Sequence, residues 1–219
     1  MILENSDTYG YLRLLLLVLA AALVFGAVCV GGVSADTYYV GSQNPGNLES
    51  GEHYYSSLSG AVSAANNNAG DDKIVILENI AIDSPDPIIV SNGKITIVNA
   101  EGVDVTITKN APSRDTFSVI YYYSSFFDVN NGGTLILDAV SPGSLTLDGE
   151  QHILDENGGA VYVNGGSFEM NEGVTITRFG YVGNMVIDVG FFKIPLSNYD
   201  GSGIYVEDGD FVMNGGNIT

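Results

Sequence analysis

Cysteine is almost missing from this sequence: there is one, Cys29, and it lies in an apolar N-terminal segment. Once that segment is set aside, no thiol, disulfide or cysteine-based zinc site remains, so packing and hydrogen bonds alone must hold the rest. Tryptophan is absent, and Lys plus Arg number 7 against 26 Asp plus Glu, a net charge of −19. A field of that sign repels phosphate backbones and argues against nucleic acid as a partner. Leu/Ala/Glu/Lys heptads are missing too, which argues against bundles and coiled coils. What the chain does have is Gly, at 28, and Tyr, at 13, among many Val, Ile, Thr and Asn residues. That is a composition of strands and turns.

The one long apolar run is Leu14 to Val30, preceded by Arg13 and followed by Val33-Ser34-Ala35 before Asp36. This order reads as a secretory signal peptide over residues 1–35, with a small-residue cleavage pattern at its end. With Gly31, Gly32 and Val33 added, the run is also nearly long enough to serve as an uncleaved anchor. In both cases the remainder faces outward, so the expected location is secreted or cell-surface, with membrane contact only through this segment. Val28 stands where a lipidated Cys29 would need a small neighbour. Glu4, Asp7 and Arg13 are the only charges before Asp36, so the acidity belongs to the exported part.

Residues 36–70 differ in character from the rest of the exported chain. Tyr38-Tyr39-Val40 is a short strand signal, and Leu58, Ala61, Val62 and Ala65 fall at i, i+3, i+4 and i+7. The spacing predicts a short helix over 56–65, capped by Ser56 or Ser57 and ended by Asn66 to Asn68 with Gly70. A helix of that length is not stable alone and needs a surface to lie on.

From Asp71 onward come short apolar bursts, among them KIVIL, KITIV, VTIT, TLIL, SLTL, AVYV and GIYV, separated by Asn-Gly, Asp-Gly and Gly-Gly turns. Hairpins of a sandwich would fit some of them, Asn92-Gly93 in particular. Repetition argues otherwise. Val161-Tyr162-Val163, Gly166, Phe168 and Met170-Asn171 recur, at one constant offset, as Ile204-Tyr205-Val206, Gly209, Phe211 and Met213-Asn214. A weaker echo is Gly133-Thr134-Leu135-Ile136-Leu137-Asp138, with Leu145-Thr146-Leu147 after it. Fixed-period similarity means stacked units. The expected fold is therefore all-β, a right-handed parallel β-helix solenoid with a short N-terminal capping helix. Its coils, of roughly 20–25 residues, would fill 71–219 and break off in mid-repeat at Thr219. The 43-residue offset between the clear repeats is about twice such a coil, so residues 180–200 are expected to form an extra coil or an inserted loop. Asn171 and Asn214 fit either an amide ladder or plain turns.

Gly158-Gly159-Ala160-Val161 with Phe168-Glu169-Met170-Asn171 resembles the GGA[ILV]…FxxN repeats of chlamydial polymorphic outer-membrane proteins. Gly201 to Ile204 with Phe211 to Asn214 resembles a degenerate second copy, and Phe127 to Asn130 matches FxxN alone. The chain is also similar to the pectate-lyase-type (pectin lyase-like), adhesin-like β-helix proteins of methanogenic archaea. The resemblance implies a surface repeat protein, adhesin-like, binding a surface glycan or a protein.

Catalysis on such a fold is the alternative, as a polysaccharide lyase or glycoside hydrolase. A lyase needs an Arg or Lys base, and the exported part offers Arg114, Arg178, Lys73, Lys94, Lys109 and Lys193. Arg178, just after a strand, is the best placed of these. A hydrolase needs paired carboxylates. Asp148, Glu150, Asp155 and Glu156 cluster around His152 without a recognisable spacing, and His53 stands alone in a polar stretch. No EF-hand loop or calcium nonapeptide is present. The reading leans away from an enzyme, with no catalytic, cofactor or metal residue assigned. Two aromatic segments, Tyr121 to Phe127 and Tyr181 to Ile194, are candidates either for stacking a ligand or for filling the interior.

Overall fold

The computed structural model describes residues 34–84, 86–110, 125–150, 159–179 and 203–219, and the backbone of two further short strands. Residues 1–33, nearly all of the expected signal peptide or anchor over 1–35, lie outside the described residues. The strands are β1 (Thr37–Val40), β2 (Glu52–Tyr55), β3 (Asp71–Ile76), β4 (Ile80–Ile82), β5 (Ile88–Val90) and β6 (Lys94–Asn99). They continue as β7 (Val105–Lys109), β8 (Phe127–Asn130), β9 (Thr134–Leu137), β10 (Leu145–Asp148), β11 (Val161–Met170) and β12 (Val174–Thr177). The last are β13 (Val186–Asp188), β14 (Lys193–Pro195), β15 (Ile204–Met213) and β16 (Asn217–Ile218).

Alternation within each burst sets the inside. In β7, Val105 and Ile107 are buried while Thr106 and Thr108 are half-exposed, and β3 and β9 repeat the pattern. The inward residues form one apolar cluster running from Tyr38 and Val40 through Ile74, Ile97, Leu135 and Phe168 to Ile176. Each such side chain taken fully from water contributes about 1.5–3 kcal/mol.

All pairs in the two large sheets are parallel. The smaller sheet has the order β16-β12-β10-β7-β4. The larger runs β2-β1-β3-β6-β9-β11-β8-β5, with β15 also on β11. This corrects the expected right-handed parallel β-helix. A solenoid keeps separate faces, each with strands in monotonic order, whereas here the order is scrambled and the larger sheet curls toward a half-barrel. The cause lies in β11. Its first half pairs with β8 (Val161↔Phe127) and its second with β9 (Ser167↔Thr134), so one strand, irregular at Asn164-Gly165 where Gly165 takes φ 81, fuses two ladders into one sheet. Nor is there a constant coil. Asp71 pairs with Lys94, Lys94 with Thr134, Thr134 with Ser167 and Ser167 with Asp210, so the step along the chain changes each time.

Glycine makes the bend in β11 possible. A Cβ on Gly166 would lie 2.7 Å from the Gly133 carbonyl oxygen. Gly209, at φ +117, would place one 2.2 Å from the Gly166 oxygen. Only a residue without a side chain lets three successive backbones approach this closely.

The single described helix, α1 (Leu58–Asn68), buries the four residues of the sequence stripe, Leu58, Ala61, Val62 and Ala65. Ser57 caps it, its Oγ accepting from Gly60 N at 3.3 Å. It extends three residues past the expected 56–65 because Asn66 to Asn68 do not end it. Ala69, in the left-handed region at φ 57, does. The asparagines hold the helix to the sheet instead: Asn66 Nδ2 donates to Ile89 O at 2.7 Å and Asn68 Nδ2 to Asp72 Oδ1 at 2.8 Å.

Asn99 closes a corner from inside. Fully buried, it donates from Nδ2 to the carbonyls of Ala100 (3.0 Å), Val103 (2.8 Å) and Val140 (3.0 Å). Its Oδ1 accepts from Val140 N at 2.7 Å. Asn99→Leu keeps the branched shape but strands these backbone groups. It is expected to cost ~2–4 kcal/mol in urea unfolding, and Gly166→Ala ~2 kcal/mol or more through the clash with Gly133. A midpoint unchanged in either variant would contradict these roles.

Candidate interaction edge

The repeat seen in the sequence becomes direct contact. Val161 pairs with Ile204, Tyr162 with Tyr205, Phe168 with Phe211 and Met170 with Met213. Identical rings stack: Phe168 on Phe211 at 5.3 Å and 11°, Tyr162 on Tyr205 at 5.6 Å and 21°. Asn214 Nδ2 donates to Asn171 Oδ1 at 3.0 Å and to Glu169 Oε1 at 2.8 Å, an amide bond between adjacent strands that lies at the surface just past both strand ends rather than inside the fold. The two repeats are therefore neighbours in the sheet. Of the chain between them β12 and the backbone of β13 and β14, antiparallel to each other, are described, and the rest of the expected extra coil or inserted loop over 180–200 lies outside the described residues. The FxxN of Phe127 to Asn130 is out of phase with this set, because Phe127 pairs with Val161 rather than Phe168.

Among the described residues no strand pairs with the far side of β15. Val163 and Met170 on β11 are fully buried, while their partners Val206 and Met213 are 40% and 47% exposed. Val212 (48%), Tyr205 (38%) and Ile218 of β16 (39%) lie open beside them. Among the described residues β15 pairs with β11 alone, and β16 is the last strand of its sheet. Glu207, Asp208 and Asp210 are exposed on the same edge. The opposite end differs: β2 closes the larger sheet with Glu52, His53, Tyr54 and Tyr55, and α1 packs against β5. The result is one apolar, acid-lined sheet edge whose inner rows are already in register for another strand.

The other candidate groups fall elsewhere. Arg178, the best placed of the candidate bases in the lyase alternative, is tied up by Asp148: its Nε donates to Oδ1 at 2.7 Å and its Nη2 to Oδ2. Burial works to raise the Asp148 carboxyl, but the Arg178 hydrogen bonds, the Glu150 N–H and the guanidinium charge outweigh it and hold it below the usual range. Arg178 and Glu150 both adopt left-handed φ (58 and 52), so the corner is strained around this pair. Arg114, His152, Asp155 and Glu156 lie outside the described residues, as do Tyr121 to Ser124 and the side chains of Tyr181 to Ile194. Phe126 and Phe127 are buried, filling the interior rather than facing a ligand. His53 stacks on Tyr38 at 5.2 Å, with its Nε2 3.4 Å from Asp36 Oδ2.

Lys109, named in the sequence only as one of six candidate bases, is an interior residue, as its parity with Val105 and Ile107 implies. It is buried, donating to Ser125 O at 2.9 Å and lying 5.9 Å from the Phe126 ring centre. Desolvation brings its amine down to about 8, with Asp128 and Asp86 opposing that shift. Desolvation also raises Asp128, against the Ser125 hydroxyl bond and the Lys109 charge. Among the described residues no group of His, Cys, Asp and Glu is placed to hold a metal ion. No described helix is long and apolar enough to cross a membrane.

Comparison with protein-family models, curated proteins and solved structures finds no match. The resemblance to polymorphic outer-membrane repeats and pectate-lyase-type adhesins is corrected by the sheet order, which is not theirs. The adhesin-like function, and the lyase or hydrolase alternative on the same fold, rested on that architecture and fall with it.

Asp148 and Lys109, among the groups shifted in the fold, each make stability depend on pH. Asp148 is depressed in the fold, so its stabilisation is complete above about pH 4 and is lost as pH falls through its folded value. Arg178→Gln should therefore shift acid unfolding, followed by circular dichroism, to higher pH. Lys109 is depressed from above 10 to about 8, so the native state gains stability as pH rises from 8 toward 10.5. Relative to Lys109→Met, the wild type should gain about 2 kcal/mol between pH 7 and pH 10. Parallel urea curves at the two pH values would disprove it.

Proposed function

We propose that this protein is an exported all-β module that works outside the cytoplasm by holding a protein partner on the β15–β16 edge. One observation carries the reading. The residues that are fully buried one strand earlier, at Val163 and Met170, recur in register as exposed Val206 and Met213. A surface already shaped and spaced for strand pairing gains apolar burial and backbone hydrogen bonds from an added strand with little reorganisation. Export is supported by the order of Arg13, the apolar run to Val30 and the small residues before Asp36.

Val206→Lys/Met213→Lys in the full chain should abolish binding of an apolar fluorescent dye to the native protein. Because both sites are exposed, stability should change by less than ~1 kcal/mol. Unchanged dye binding would remove the edge as the apolar surface. A phosphatase fused after Thr219, active only when outside the cytoplasm, should be active in cells. An inactive but intact fusion would reject export.

A further inference from the structure

We infer that the β15–β16 edge takes a basic, apolar peptide segment as an added parallel strand; this rests on reading that edge as the binding face. The β11–β15 pair supplies the template. Its inward row matches Val163 with Val206, Phe168 with Phe211 and Met170 with Met213, while Tyr162 stacks on Tyr205 outside. The next strand therefore needs aliphatic or aromatic residues over Val206, Phe211 and Met213, and a ring over Tyr205.

Charge selects among strands of that pattern. Glu207, Asp208 and Asp210 crowd the middle of the edge, and the β11 residues opposite, Asn164 and Ser167, are uncharged. A strand with Lys or Arg at these positions is attracted, and one with carboxylates is repelled, each directly opposed pair shifting affinity severalfold. A second copy of this chain is disfavoured on that ground. Two β15 edges brought together set these carboxylates against each other, on chains that each carry a net charge of −19.

The test uses the full chain in lipid nanodiscs, with empty nanodiscs as the blank and two synthetic peptides as probes. One has the sequence of Gly203 to Asn214. The other is the same with Glu207→Lys, Asp208→Lys and Asp210→Lys. The lysine peptide should bind about tenfold or more tightly at low salt, with the gap closing as salt is raised. Asp208→Lys/Asp210→Lys in the protein should reverse the preference. Equal binding of both peptides would overturn the charge selection while leaving the edge as a binding face. Binding of neither, with β15 amides already protected from hydrogen exchange in the monomer, would mean the chain covers this edge itself, and both readings would fail. A concentration-dependent dimer abolished by Met213→Lys would assign the edge to a second copy and overturn the basic-partner proposal.

Discussion

Everything in this structure depends on parallel strands meeting in register, like side chain over like. A parallel ladder pairs residue with residue at a fixed spacing, so an inward Val, Ile or Leu on one strand finds its counterpart on the next. Ile74 meets Ile97, Ile97 meets Leu137, and Leu135 meets Phe168. A slip of one residue would turn each of these outward. The glycine column at Gly133, Gly166 and Gly209 and the buried Asn99 both serve that register, the first by letting backbones close up, the second by pinning a corner.

Charges are placed where the ladders allow them. Along the strands the interior is apolar, and the buried polar groups among the described residues are at strand ends and corners: Asp72, Asn99, Lys109, Ser125 and Asp148. Asp72 accepts from Asp36 N at 2.9 Å and from Asn68 Nδ2 at 2.8 Å, joining β1, α1 and β3 at one point. Lys109 costs the fold through desolvation, whereas the Arg178–Asp148 pair sits at a half-exposed rim where water still screens it. These groups therefore set how stability changes with pH more than they set the fold.

Strand positions were legible in the sequence because each burst carries its own alternation, and the helical stripe from Leu58 to Ala65 was equally plain. The topology was not. Whether β8 and β9 lie on separate faces or in one sheet depends on β11 continuing through the irregular Asn164-Gly165-Gly166, a segment that reads as a turn. The exposed edge was half legible. The pairing of Tyr162 to Met170 with Tyr205 to Met213 was there in the repeat, but burial on one copy and exposure on the other depends on what is stacked outside each. Arg178 and Asp148 were both singled out without being joined, although the echo of Leu145-Thr146-Leu147-Asp148 in Val174 to Thr177 places them side by side.

The unequal steps between paired strands imply a tolerance. Only the landing positions are read by the sheet, and closing a longer excursion costs little more entropy than closing a short one. The stretch from Arg178 to Gly203 leaves β12 and returns beside β11 with the stacking of Phe211 on Phe168 intact. Such a chain can accept foreign sequence between strands without renegotiating its core, which makes that connection a natural place to graft an epitope or a reporter.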